Sequence, residues 1–262
     1  MRKIQKITAA LLLSVATVAC TNGAQKANNT QELTQTEQSV AESKVNHSAY
    51  EKLLQAHVSD KGAVDYKGFA KDKVSLENYL KSLGLVDVAK LSKNEQTAFW
   101  INAYNALTID LIVKNYPVKS IQDIASGKPW DQKLAYKLNG KSLTLNDIEK
   151  KILLGSDLFD ARIHFAVNCA AVSCPTLSNH AFTGDNVQKM LTENTKAALA
   201  NPKFNKISAD SAALSKLFDW YKADFVKAEG SVVNFINKYS ATKISDKTKI
   251  TYIDYNWSLN GK

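Results

Sequence analysis

The strongest structural signal in the sequence is a long helix that begins near Ser92 and ends before Pro117. Ser92 with Glu95 forms the capping-box pattern that begins helices, and a proline disfavours helical geometry in the residue that precedes it. Residues 99–107 within this segment are apolar on nearly every side. A helix without a polar face is buried all round, so the sequence predicts a fold arranged around one central helix.

Three polar side chains share one stripe of this predicted helix. Asn102 follows Glu95 by seven residues, and Asn105 follows Asn102 by three, which is close to two turns and one turn. An unpaired buried amide costs about 1–3 kcal/mol, so the stripe needs polar partners. Two interpretations stay open for each group. Glu95 either caps the helix or takes part in catalysis, and the two asparagines either pair with loop backbone or belong to a site.

The segment from 162 to 175 carries more chemically active groups than any other part of the chain. Apolar and polar residues alternate from 162 to 168, which predicts a β-strand with one polar face. This face is the expected partner of the polar stripe on the central helix. His164 belongs to the predicted strand, Cys169 follows it, and Cys174 precedes a proline. We therefore expect the candidate site in this segment.

The rest of the sequence predicts a mixed fold. Apolar spacing from 214 to 225 predicts one amphipathic helix, Asn139-Gly140 predicts a two-residue hairpin turn, and alternation from 249 to 255 predicts a terminal strand. We expect a single α+β domain over residues 47–262. About six or seven helices would surround a small, mainly antiparallel sheet that contains the central strand, the hairpin and the terminal strand.

The first 46 residues differ in character from the rest. Residues 1–19 combine basic residues, an apolar run and small residues, as in an export signal, and residues 17–20 resemble a bacterial lipobox. We expect Cys20 to become the lipidated first residue of the mature protein. Thr21 in place of aspartate favours the outer membrane of a Gram-negative-type bacterium. Residues 20–46 are polar and predict a flexible linker between the lipid and the domain.

Charge and composition favour some partners over others. The net charge is +9, but the lysines are dispersed among acids, so a solvated surface explains it better than a nucleic-acid site. The sequence has no glycine-rich phosphate loop, and we expect no cofactor. The predicted partner is therefore a membrane, reached through the N-terminal lipid, and the residues indicate no particular substrate.

Three segments resemble the signatures of the domain-of-unknown-function family numbered 547. They are residues 99–107, residues 162–169 with 173–175, and residues 252–260, where Asn256 stands at a position at which aspartate is common. The resemblance spans residue 48 to the end and implies that this whole region is one folded unit. Some bacterial members look like lipoproteins, in agreement with the leader. The family carries no settled activity, so the resemblance implies no reaction.

Thiol chemistry is the first interpretation of the candidate site. Cys169 would act as nucleophile and His164 as its base, with Glu95, Asn102 or Asn105 orienting the imidazole. The products would be those of acyl transfer or amide hydrolysis, as in papain-like and transglutaminase-like enzymes, to which any relation would be distant and permuted. Positions five apart on an ideal strand point to opposite faces, so Cys169 reaches His164 only if the chain turns after residue 168.

Two other interpretations compete with thiol catalysis. In an oxidising compartment Cys169 and Cys174 would form a disulfide, which would leave a non-catalytic periplasmic or surface binding module. Metal ligation by these two cysteines and His164 is the third interpretation. It lacks a fourth protein ligand, so we expect no metal site. His180 lies nearby in the sequence and is a spare candidate base.

Overall fold

The computed structural model describes residues 43–261 of the chain. The expected central helix forms as α4, Lys93–Asn115, and the Ser92 hydroxyl caps it by accepting a hydrogen bond from the backbone N–H of Glu95. Residues 97–112 are buried without interruption. The prediction of one central, buried helix is therefore confirmed.

Seven further α-helices within residues 43–261 lie around α4 in two groups. The first group precedes it in the chain: α2 and α3 pack against α4, and α1 packs against α2 and α3. The second group surrounds a separate apolar cluster that is rich in phenylalanine, and α5 joins this cluster to α4. The bounds are α1 Ser48–His57, α2 Tyr66–Lys71, α3 Lys73–Leu83, α5 Val187–Ala200, α6 Leu217–Trp220, α7 Lys222–Glu229 and α8 Val232–Tyr239.

The strands form two small, separate sheets. The hairpin at Asn139-Gly140 is confirmed, with both turn residues at positive φ, but its strands pair only with each other. The second sheet has the order β3-β4-β5, in which β3 and β4 are antiparallel and β4 and β5 are parallel. The α+β class is confirmed, whereas the expectation of one sheet for hairpin and terminal strand is wrong. The bounds are β1 Lys137–Leu138, β2 Lys141–Ser142, β3 Lys206–Ile207, β4 Ser211–Ser215 and β5 Lys249–Ile253.

The segment expected as the central strand is a short 3₁₀ helix, Ala161–Phe165. The side chain of Asp160 caps it by accepting from the backbone N–H of Arg162. The alternation that predicted a strand has another cause, because this turn lies between the two apolar cores. Ile163 packs in the core around α4, Phe165 packs in the phenylalanine-rich core, and His164 between them is also buried. The strand prediction is therefore wrong.

The helix predicted over residues 214–225 is divided. Leu214 belongs to β4, α6 begins at Leu217, and the backbone breaks at Tyr221, where φ is −111° and ψ is 25°, before α7 begins. Apolar residues at helical spacing on β4, α6 and α7 all reach the same core, so the sequence pattern continues through the two breaks. The break at Tyr221 matters for the site described below.

Some expectations concern residues outside the described range of 43–261. The export signal at 1–19, Cys20 and most of the linker at 20–46 belong to this group. Val45, near the end of that predicted linker, donates its backbone N–H to Glu95 Oε2 over 3.3 Å. Between residues 43 and 261, every helix is too short or too polar to cross a bilayer.

Candidate functional site

The two thiols lie on one tight loop. Ala170 adopts a left-handed backbone with φ of 63°, so the chain turns directly after Cys169. The backbone N–H of Cys169 donates to the sulfur of Cys174 over 2.9 Å, and both cysteines are free thiols. A left-handed alanine costs free energy, and such strain is concentrated at functional sites. The chain thus turns after Cys169, although the segment before it is a 3₁₀ helix and not the strand on which the expected turn was based.

The surroundings of Cys169 favour its thiolate. The Cys174 thiol hydrogen-bonds the Cys169 sulfur and lowers the pKa of Cys169 below 9.0, although burial opposes this shift. Smaller contributions come from the Tyr255 hydroxyl, 3.2 Å from the sulfur, and from the backbone N–H of Ala171. Burial and the neighbouring Cys169 raise the pKa of Cys174. Cys169 is therefore the more nucleophilic of the two sulfurs.

His164 is held by a carboxylate from α7. Its Nε2 lies 2.9 Å from Oδ2 of Asp224, and its ring packs on Tyr221 with centroids 4.1 Å apart. Among residues 43–261, Nδ1 of this imidazole has no hydrogen-bond partner. The backbone break at Tyr221 separates α6 from α7, and both Tyr221 and Asp224 contact the histidine. Carboxylate and imidazole are arranged as in an acid–base pair whose second nitrogen is left for a reacting group.

The thiols and the imidazole line one cavity of about 270 Å³, although within residues 43–261 no hydrogen bond joins His164 to Cys169. Cys169, Cys174 and His164 all contribute to its wall, and so does the buried carboxylate of Glu149. Glu149 lies on the wide π-helix Asp147–Leu153, a kind of helix that often marks functional sites. The wall also includes Tyr104, Trp130, Asp131, Trp220, Tyr221, Tyr255 and Trp257.

Hydrogen bonds hold the thiol loop, residues 166–174, on two sides. On one side Asn105 of α4 donates to the carbonyl of Ala166 over 2.9 Å and accepts from the N–H of Asn168 over 2.8 Å. On the other side the chain segment 256–261 crosses the loop, where the N–H of Asn260 donates to the carbonyl of Ala170 over 2.9 Å. The Asn260 amide also donates to the side-chain oxygen of Asn168 over 3.1 Å. The loop is thereby part of the folded core.

The polar stripe of α4 holds loops in place and does not touch the imidazole. Both hydrogen bonds of the Asn102 amide go to the backbone of Phe182, over 2.7 and 3.0 Å. The Glu95 carboxylate accepts from the N–H groups of Gly184 and Val45. Asn105 binds the thiol-loop backbone, as described above. The orientation of the imidazole that we expected from these three residues comes from Asp224 instead.

The sequence does not indicate four side chains of the candidate site. It predicts a plain amphipathic helix around Asp224 and Tyr221, and it gives Glu149 no role. Tyr255 was placed in the terminal strand, although β5 ends at Ile253. The signal available in the sequence was the tyrosine and tryptophan content of residues 220–221 and 255–257, since aromatic residues with polar tips are enriched at binding surfaces.

His180, the spare candidate base, does not line the cavity. The exposed His180 pairs with Glu51, with 2.7 Å between Nδ1 and Oε1. Within residues 43–261, no three histidine, cysteine or acidic side chains are grouped closely enough to hold a metal ion. Cys20 lies outside the described residues.

The comparisons with known proteins gave one match. Neither the curated proteins nor the solved structures contain a match to the chain. One family model matches residues 88–198. This region contains α4, the π-helix, the 3₁₀ helix with His164, and the thiol loop, but neither Asp224 nor Tyr255. Residues 88–198 match the family model described as "Protein of unknown function, DUF547".

Proposed function

We propose that this protein is an exported, lipid-anchored, cysteine-dependent hydrolase or acyltransferase of the cell envelope. The observation that carries the chemical part is the shared cavity. A thiol whose pKa is lowered and an imidazole bonded to a carboxylate line the same cavity. The part that concerns location is supported by the leader at 1–19 and the lipobox-like residues 17–20.

Each residue has a defined role in the proposed reaction. The Cys169 sulfur attacks the acyl carbon of the substrate, a C–S bond forms, and the bond to the leaving group breaks. His164 takes the thiol proton and gives it to the leaving group, and Asp224 stabilises the imidazolium. Water, or another acceptor, then attacks the thioester and frees the sulfur. Asp224 is hydrogen-bonded to the Nε2 atom of His164, so the proposed proton transfer uses the Nδ1 atom.

The alternative is a binding module in which Cys169 and Cys174 are joined by a disulfide. Its support is the hydrogen bonding between these two groups, which keeps the cysteines adjacent. Oxidation would remove both thiols and close a small rigid loop. Oxidation state therefore separates the two functions, and it is directly measurable.

The test is acylation by an activated ester, p-nitrophenyl acetate, followed by intact mass. We expect one acetyl group on the wild-type protein, mapped to Cys169, and none at that position in Cys169→Ala. Asp224→Asn keeps the shape of the side chain and removes its charge, and it should slow acylation at least about tenfold. Thermal unfolding of each variant checks that the fold is retained.

Two results would contradict the proposal. One is a wild-type mass two protons below that of the reduced protein after purification from the envelope, which supports the disulfide-linked binding module. The other is a reduced, folded wild-type protein that acquires no more acetyl at Cys169 than an unfolded control does.

A further inference from the structure

One wall of the cavity is a continuous aromatic surface. Tyr255 packs against Trp257 and Trp220, with ring centroids 4.5 and 4.8 Å apart, and Trp130 continues the row beyond Trp257 at 5.6 Å. Trp220 is 47% exposed, which is high for so large an apolar side chain. Aromatic faces carry negative electrostatic potential and attract cations, most strongly for tryptophan. The wall therefore offers several faces to a positively charged group.

A buried carboxylate completes this part of the cavity. Glu149 is only 6% exposed, and its Oε1 accepts a hydrogen bond from the Tyr221 hydroxyl over 3.1 Å. Its Oε2 has no hydrogen-bond partner within residues 43–261, and no lysine, arginine or histidine in that range forms an ion pair with Glu149. Lys128 and Lys150 line the same cavity, but both are exposed. A buried charge is stable when it is paired, and here the protein supplies no cation.

We propose that the cavity binds a primary amine in its cationic form. Glu149 serves as counterion for the ammonium group, and the ring faces of Trp220, Tyr255 and Trp257 contact that group and the adjoining methylenes. A neutral ligand of the same shape would gain the apolar contact and lose both the ion pair and the attraction to the ring faces. Charge, and not shape alone, is what this site selects.

This inference rests on the proposed function in one respect, because it names the acyl acceptor. The bound ammonium gives one proton to the Glu149 carboxylate and becomes a nucleophilic amine. Its nitrogen attacks the thioester carbon on Cys169, so that a C–N bond forms and the C–S bond breaks. The second proton leaves the nitrogen through His164 and returns to the sulfur. Glu149 then releases its proton to solvent. The products are an amide, the free thiol and one proton, and no electrons are gained or lost.

Binding can be tested without any reaction at the thiol. Three of the four tryptophans of the chain line the cavity, so intrinsic fluorescence reports directly on its occupant. Full-length protein is titrated with n-butylammonium chloride, with 1-butanol as the neutral counterpart and sodium chloride at matched ionic strength. We expect a saturable change with butylammonium alone, and the same change in Cys169→Ala.

Matched variants locate the binding to the proposed residues. Glu149→Gln should weaken butylammonium binding at least about tenfold, whereas the exposed Glu193→Gln should leave it unchanged. Trp220→Ala, at a half-exposed position, should also weaken butylammonium binding. It tests the same site if Glu149→Gln fails to fold. Equal binding of 1-butanol, or full affinity in folded Glu149→Gln, would overturn the inference.

The reaction gives a separate readout. After acetylation by the ester, the acetyl group on Cys169 should be lost faster as butylamine is added, with saturation, and N-butylacetamide should accumulate. In Glu149→Gln the amine should no longer accelerate loss of the acetyl group, relative to the rate that the same variant shows without the amine. Acylation without any preference for the amine would refute the amine site alone. Amine binding without acylation would refute the thiol reaction alone.

Discussion

At the scale of single residues, the thiol of Cys174 matters as a hydrogen-bond donor. It is the main reason that the pKa of Cys169 lies below its ordinary value of 9.0. A lowered pKa means that the thiolate is already present at a pH at which an ordinary cysteine is still protonated. At a pH below both the ordinary and the lowered pKa, a difference of one pKa unit changes the thiolate fraction about tenfold.

We predict that Cys174→Ala raises the pKa of Cys169. The pH profile of Cys169 alkylation by iodoacetamide should move to higher pH, and the rate at pH 7 should fall by about tenfold. Cys174→Ser is the matched control, because the hydroxyl keeps a donor at the same position, and its profile should move less. An unchanged profile in the alanine variant would show that another group stabilises the thiolate.

At the scale of elements, α4 positions loops through its buried amides. Asn105 holds the thiol loop and Asn102 holds the backbone of Phe182, each with two hydrogen bonds. Replacing either amide leaves a buried N–H and a buried carbonyl without partners. Each unpaired group costs about 1–3 kcal/mol.

We therefore predict that Asn102→Ala and Asn105→Ala each lower the free energy of unfolding by about 2–5 kcal/mol, measured by denaturant titration. Only Asn105→Ala should also slow the alkylation of Cys169, because only that amide contacts the thiol loop. Asn102→Ala is thus the control for a general loss of stability. Equal loss of thiol reactivity in both variants would contradict this separation of roles.

The same elements show how far a sequence of this kind predicts its fold. α4 and the hairpin were predicted because their signals are local: a cap, a proline and an Asn-Gly turn determine them without reference to the rest of the chain. The sequence did not predict the 3₁₀ helix at His164, because the alternating burial there arises from two cores on opposite sides of one turn. Cys169 and His164 could be selected by their chemistry. Asp224 and Glu149 required the fold, since Asp224 lies 60 residues after His164 and Glu149 lies on a helix that contains neither thiol.

At the scale of the whole molecule, the proposed lipid anchor would determine where the proposed chemistry takes place. Acyl chains on Cys20 would hold the domain at the membrane through the linker at 20–46. We predict that the full chain, expressed in a Gram-negative bacterium, fractionates with membranes and enters the detergent phase. Cys20→Ala should instead lose the anchor, while Cys169→Ala, which also removes one cysteine, should keep it. A Cys20→Ala protein that still partitions into detergent would contradict the anchor.

The crossing of the thiol loop by residues 256–261 has a consequence for biosynthesis. Asn260 and the carbonyl of Ala170 meet although they are separated by most of the second half of the chain. A polypeptide that is threaded through a membrane from its N-terminus delivers these closing residues late in translocation. On the proposed export route, the loop that carries Cys169 is therefore closed only after that delivery, outside the compartment in which ribosomes make the protein.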